Sequence, residues 1–247
     1  MSSISTGERR GDYGVDAPPV LLVLGGFTLL YLLLAVILGP AFDAAVGWFF
    51  LALGLVMGVQ FAVYLYATRR GKFAVWDDLL DELSLHGDEH LLDMGCGRGA
   101  VLLAAARRLP HGKAVGVDLW RSADQSGNAR QATQANATAE GLADRVELHT
   151  GDMTALPFPD DSFDTVVSSL AIHNIKSPQA RATAISEALR VLRPGGRLLI
   201  ADISRAREYH RVLTESPAHD VTIRSLGWRM WWGGPWMPTR AVSATAA

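Results

Sequence analysis

A single cysteine, Cys96, is present in 247 residues. That excludes an intrachain disulfide and any CxxC metal site, and it fits a reducing compartment. No charge sign dominates either. The 23 Lys and Arg face 25 Asp and Glu, for a formal net charge of -2, and the pI is about 6.4. No global basic field therefore recruits nucleic acid. No group of His, Asp and Glu has metal-ligand spacing, so no metal site is expected. Internal repeats of solenoid period and long low-complexity tracts are missing too. Charged residues make up only 19% of the chain, and two long stretches near the N-terminus have none at all.

Those stretches underlie a hydrophobic content of 49% and a mean hydropathy of +0.15. Residues 20–38 read VLLVLGGFTLLYLLLAVIL, and residues 46–67 read VGWFFLALGLVMGVQFAVYLYA. About 20 apolar helical residues span a hydrocarbon layer roughly 30 Å thick. Gly39-Pro40 breaks the helix between the two runs. A cleaved signal peptide is disfavoured by the length of the first run and by the second directly behind it. Buried core helices are disfavoured because neither run has a polar face. Residues 18–70 are therefore expected to form a two-helix membrane anchor, after a disordered N-terminus over 1–17 and before a domain over 71–247. Arg9 and Arg10 precede the first run, and Arg69, Arg70 and Lys72 follow the second. The connecting turn has neither Lys nor Arg, which places both ends in the cytoplasm. Trp48, Tyr64, Tyr66 and Trp76 lie near the run ends, as interfacial aromatics do. Gly54 and Gly58 form a GxxxG. It suits close helix approach within the hairpin or in a homodimer.

The rest of the chain is organised around LLDMGCGRG, residues 91–99. An apolar run ends in Asp93, glycines stand at 95, 97 and 99, and residues 100–109 read as a helix. Strand, glycine turn and helix in that order make a nucleotide-type cofactor cradle, because glycine lets the backbone approach a ligand closely. A short amphipathic helix over 77–85 precedes it. Strands over 113–119, 145–149, 163–170 and 197–203 follow, with helices over 123–140 and 177–192. This alternation predicts an α/β domain with ligands at the carboxyl ends of parallel strands. Three of those ends carry acids, Asp93, Asp118 and Asp152. Asp118 is placed to take ribose hydroxyls, and Asp152 to accept from an adenine amino group. Gly95, Gly97 and Ala100 also satisfy GxGxxA, so the glycines alone admit NAD. Asp93 makes the mouth negative, which suits a cofactor with a cationic amino-acid end and a sulfonium better than a pyrophosphate.

LLDMGCGRG, VGVDL, TGDMTALPFPDDSFDTVVSSL and RVLRPGGRLLIADI, in that order, resemble the successive motifs of class I S-adenosylmethionine-dependent methyltransferases. Within that class they are most similar to the quinone-biosynthesis and generic small-molecule type. The resemblance covers residues 91–203. It implies S-adenosyl-L-methionine as cofactor and a Rossmann-like seven-stranded sheet whose last strand is antiparallel, with residues 220–226 and 239–245 as the final strands. It further implies that Asp93, Gly95, Gly97 and Gly99 cradle the methionine end. Asp118 binds the ribose with Leu119 beside the adenine, and Asp152 and Met153 hold the adenine edge. The segment 168–173, Ser169 included, lines the transfer site.

Methyl transfer from a sulfonium is an in-line displacement that rests mainly on alignment and desolvation. A base is needed only where the acceptor must lose a proton. His173 is the candidate, with an ordering role for its loop as the alternative. Cys96 reads as a packing residue. The stretch GWRMWWGGPWMPTR, residues 227–240, reads either as a packed hairpin or as a lipid-interface loop that admits an apolar acceptor. The expected function is a membrane-anchored methyltransferase for a small, lipophilic acceptor. The alternatives are a non-catalytic sensor or scaffold that binds the same cofactor, and a nicotinamide oxidoreductase. The GDMTALPF and RPGG blocks speak against the last.

Overall fold

The computed structural model describes residues 9–121 and 125–247. Residues 1–8 of the segment expected to be disordered, and the start of the helix expected over 123–140, lie outside the described residues. Two helices come first. Helix α1 (Pro18–Ala41) opens with proline in its first turn, where the missing N–H would have no helical partner. Helix α2 (Ala44–Tyr66) is capped by Asp43, whose side chain accepts from Ala45 N at 3.2 Å. The two meet through small residues, Gly39 against Gly47, Gly58 against Thr28 and Gly54 against Leu32. Both glycines of the GxxxG face α1 within the hairpin. A Cβ on Gly54 would sit 2.8 Å from Leu32 Cδ2, which is the close approach within the hairpin that the GxxxG suits. Helix α1 buries no residue, and α2 buries only Gly54 and Tyr64.

Helix α2 does not stop at the domain. It passes through a π-helical turn, Ala67–Gly71, into α3 (Lys72–Glu82), making one helix of 39 residues, Ala44–Glu82. The boundary expected at 70/71 thus lies inside a helix, and the amphipathic helix expected over 77–85 is this helix's end. Residues 9–17, expected to be disordered, form a strap across the domain. Asp12 N donates to Asn136 Oδ1 at 2.9 Å, and Asn136 Nδ2 donates to Asp12 O at 2.9 Å. Tyr13 OH donates to Glu140 Oε1 at 2.8 Å, and Val15 N donates to Ser126 Oγ at 2.9 Å. Polarity of this segment reflects partners brought from far along the chain, which composition does not display.

The domain is built on a seven-stranded sheet of order β3-β2-β1-β4-β5-β7-β6. The strands are β1 (His90–Met94), β2 (Lys113–Asp118), β3 (Val146–Thr150), β4 (Phe163–Ser169), β5 (Leu192–Asp202), β6 (His219–Ser225) and β7 (Arg240–Thr245). The first five are parallel, and β7 runs antiparallel to both β5 and β6. The Rossmann-like sheet with an antiparallel last strand is therefore as expected. Alternate residues feed two cores, as the period of a strand requires. Leu91, Leu199 and Ala201 pack with α3 and α4 (Ala100–Ala106). Leu92, Leu198 and Ile200 pack with α6 (Pro178–Arg190) and α7 (Ala206–Thr214) on the other face. Helix α5 (Arg130–Ala139) starts later than expected. Gly127 takes a φ of 62°, and Gln125 and Asn128 turn their side chains to the strap and to Asp118.

Candidate active site

The sheet's strand order reverses between β1 and β4, and the carboxyl ends on either side open into a cavity of about 500 Å³. That is where ligands bind in open α/β sheets. Its floor is the motif region. Gly95 and Gly97 hold φ of 75° and 51°. A Cβ on Gly95 would run into Ala171, and one on Gly97 would stand 2.6 Å from Gln125 Oε1. Both glycines line the cavity, as do Asp93, Asp118, Leu119, Asp152, Met153 and Ser169. Gly99 does not. It precedes α4 at φ 85°, and a Cβ there would press on Thr133, so its part is to start the helix.

Asp93 is the unusual group. It is 1% exposed, and neither carboxyl oxygen meets a hydrogen-bond partner among the described residues. Burial, then the charge of Asp118, pushes its pKa up to about 8. An unpartnered buried carboxyl is costly. Asp118 is better served. Its Oδ2 accepts from Gly97 N at 2.9 Å and its Oδ1 from Trp120 N at 2.5 Å, so it also pins the glycine loop. Asp152 Oδ1 accepts from Thr154 N at 2.9 Å and Thr154 Oγ1 at 2.8 Å. The Thr154 backbone N–H leads in holding its pKa below the usual carboxylate value. Burial, then Asp93, raises the Cys96 thiol, which fits packing and not nucleophilic attack.

The wall opposite the floor was not legible in the motifs. Lys72, Phe73 and Trp76 from α3, Asp16 from the strap, and Gln125 and Asn128 from the loop after β2 all line the cavity. Trp76 Nε1 donates to Ser169 Oγ at 2.8 Å, which ties α3 to the end of β4. Helical spacing of Lys72 and Trp76 was the available signal, but nothing local says which way that face turns. Lys72, read as a membrane flank, is instead 4% exposed within the domain, whereas Arg69 and Arg70 are exposed.

His173 is not part of the cavity lining; Asn174 and Ile175 are. The His173 Nδ1 lies 2.5 Å from Asp202 Oδ1, and its backbone N donates to Asp202 Oδ2 at 3.0 Å. Tyr209 OH donates to the same Asp202 Oδ2 at 3.0 Å. Asp202 is fully buried. Asp202 thus holds both the ring and the backbone of His173, away from the cavity lining. The tryptophan loop likewise does not line the cavity. It packs on the foot of the hairpin. Trp232 meets Tyr64 edge-on at 5.2 Å, and Trp228 stacks on Tyr66 at 5.0 Å. Trp232 is buried, while Trp228 and Trp236 are 57% and 63% exposed.

Known proteins agree with this geometry. A family described as "Methyltransferase domain" matches residues 92–200. Residues 92–200 thus carry a methyltransferase domain, and the seven-stranded sheet around it has the class I methyltransferase fold. Among curated relatives, the ubiquinone/menaquinone biosynthesis C-methyltransferase UbiE of Roseobacter denitrificans is 36% identical over 136 residues, 55% of this chain and 51% of that protein. The demethylmenaquinone methyltransferase of Symbiobacterium thermophilum is 34% identical over 138 residues, with the same shares. The chain thus spans about half the length of the curated relatives it matches. Among solved structures, a SAM-dependent methyltransferase from Aquifex aeolicus aligns with a TM-score of 0.56 at 18% identity, over 70% of this chain and 89% of that one. The [4+2]-cyclase SpnF aligns with a TM-score of 0.57 at 20% identity, over 69% and 81%. At such identities the likeness speaks for the fold alone.

Proposed function

We propose that the protein is a membrane-held methyltransferase that uses S-adenosylmethionine to methylate a small, lipophilic acceptor of the quinone-precursor kind. The observation that carries the cofactor part is Asp93. Among the described residues its buried carboxyl has no hydrogen-bond partner, yet it lines the cavity beside Gly95 and Gly97, whose backbones lie too close to Ala171 and Gln125 to admit a Cβ. A ligand that brings an ammonium there supplies the missing donor. The residues present therefore fit the cofactor. Asp93 with Gly95 and Gly97 would hold its amino-acid end, Asp118 its ribose, and Asp152 with Met153 and Leu119 its adenine. When bound, the cofactor supplies a methyl group already activated on a sulfonium.

The chain's own work is then alignment. Asp118 fixes the glycine loop and keeps acceptor capacity for hydroxyls. Trp76, locked by Ser169, and Ser169 itself close one side of the cavity against water. His173 and Asp202 set the path of the loop that carries Asn174 and Ile175 to the cavity. No base on the cavity wall is required for an acceptor that is already nucleophilic.

The membrane part is supported by α1 and α2, whose length and apolarity suffice to cross a bilayer, and by their outward apolar side chains. Trp228 and Trp236, exposed at the hairpin's foot, support seating at the lipid interface. With both flanks basic, the domain lies on the cytoplasmic side. The names of the curated relatives support a quinone-type acceptor.

The test is incubation of the full chain in lipid vesicles with methyl-labelled cofactor and a membrane-lipid extract. Label is expected in a lipid-soluble product. A sensor that binds the cofactor without turnover remains the second reading, because the same fold occurs in a protein described as a cyclase. Tight cofactor binding with no labelled product from any extract selects it. Preference for NAD over S-adenosylmethionine in direct binding overturns both.

A further inference from the structure

The amino-acid end of S-adenosylmethionine carries a carboxylate as well as an ammonium, and the motif residues offer it no cation. Arg98, inside the glycine loop, is turned to the strap. Its Nε donates to Asp12 O at 2.8 Å, and its Nη2 lies 2.9 Å from Asp12 Oδ2. Four carboxylates line the cavity, those of Asp16, Asp93, Asp118 and Asp152. An anion entering this field needs a positive partner.

Three cations line the same cavity, Lys72, Arg121 and Lys176. Arg121 acts on Asp152, whose carboxyl it helps to keep ionised, so it belongs to the adenine end. Lys176 is exposed and follows Asn174 and Ile175, at the end beyond β4. Lys72 is different on both counts. It is 4% exposed, and its Nζ donates to Asp16 Oδ2 at 2.7 Å. Asp16 Oδ1 accepts from Gln125 Nε2 at 3.3 Å, and Gln125 Oε1 accepts from Arg98 N, in the glycine loop, at 2.9 Å. Lys72 is thus linked through two side chains to the loop that receives the amino-acid end. An ammonium has three N–H donors, and among the described residues Lys72 spends one of them.

We infer that Lys72 binds the carboxylate of the cofactor's amino-acid end, with Asp16 as the partner that neutralises it until the ligand arrives. The inference rests on S-adenosylmethionine being the ligand. Asp93 and Lys72 together then read the ammonium and the carboxylate of one α-amino acid. A buried lysine without a counter-ion is costly, which gives Asp16 its place in the strap. Thr68 Oγ1 also donates to Asp16 Oδ2, at 2.7 Å, so the carboxylate stays held when Lys72 shares its donors. Recognition of the cofactor then depends on a residue of the same unbroken helix that forms half of the apolar hairpin.

The test compares two ligands on the full chain in detergent micelles, by calorimetry: S-adenosylmethionine and its decarboxylated form. The native protein is expected to prefer the first by about tenfold, the worth of a charge-assisted hydrogen bond. Lys72→Gln is expected to bring the ratio to about one, and Lys72→Arg to retain it. Asp16→Asn, which leaves Lys72 without a rival carboxylate, is expected to widen it. The ratio cancels any general weakening from a loosened strap, since both ligands share it. A clamp role for the pair, in which Lys72→Gln weakens both ligands equally, overturns the inference. So does a ratio that collapses in Arg121→Gln instead. Should Lys72→Gln fail to fold, an unchanged ratio in Asp16→Asn overturns it on its own. A native protein that binds neither ligand refutes the cofactor reading, and this inference with it.

Discussion

The hairpin and the sheet treat apolar side chains in opposite ways. In the sheet, Leu91 and Leu92 are neighbours that point to different cores, and both are fully buried. In the hairpin, Leu29 is 71% exposed, Val36 72% and Leu22 76%. The same residue types are hidden by protein in one region and left for the surroundings to cover in the other. The hairpin's own packing is confined to a narrow seam of small residues, as in helices that associate where apolar burial gives no drive. Apolar content therefore has two meanings in this chain, and only the pattern around it tells them apart.

The contrast is open to three measurements, from the largest expected effect to the smallest. Leu92→Asp places an unpaired charge in a filled core. It is expected to cost more than about 4 kcal/mol and to leave no folded domain by circular dichroism. Leu29→Asp sits at an exposed position, where water would make it harmless. In a bilayer it is expected to cost about 3 kcal/mol of insertion, read as a loss of membrane-integrated protein. Equal integration of Leu29→Asp and the native chain would break the comparison. Gly54→Leu must push Leu32 aside, whereas Gly26 has nothing within 4 Å of a Cβ. The first is expected to destabilise the hairpin by about 2 kcal/mol, and Gly26→Leu to change little, in thermal melts of the micellar protein.

The last effect is a pH dependence, which concerns Asp93 and has a definite sign. Its folded pKa is raised to about 8 from an ordinary value of 3.8. Between those values the folded state holds a proton that the unfolded chain has lost. Stability of the ligand-free protein is therefore expected to fall as pH rises across that window and to level off above it. Asp93→Asn removes the slope. At a pH of about 8.5 the variant is expected to melt a few degrees above the native protein, while binding the cofactor more weakly.

Legibility followed sequence distance. Asp93, Asp118 and Asp152 end successive strands, so a strand-by-strand reading brings them together before any contact is known. The two apolar runs were equally plain, because length and lack of charge are local properties. Lys72 and Asp16 were not, being joined across 56 positions. The strap's order rests on partners such as Asn136 and Glu140, more than a hundred residues away. His173 shows the reverse limit. Its place after β4 was right, but the direction of its ring was set by Asp202, 29 residues on. Adjacency along a motif fixes where a backbone goes more firmly than where a side chain looks.

The π-helical turn Ala67–Gly71 has a consequence for phase. An α-helix advances 100° per residue, and a π turn amounts to one residue inserted into it. Below the turn, the helix shows its small residues to α1; above it, Lys72, Phe73 and Trp76 face the cavity. The inserted residue resets the rotation between those two faces, and Gly71 leaves room at the junction for the Arg229 carbonyl. The helix thus works as a keyed shaft, on which the hairpin and the cavity wall hold one angle and one height. Drift by a single inserted or deleted residue anywhere between Tyr66 and Lys72 would turn the wall away from the floor. The chain can exchange its outward apolar residues for other apolar ones, but it cannot change the length of that joint.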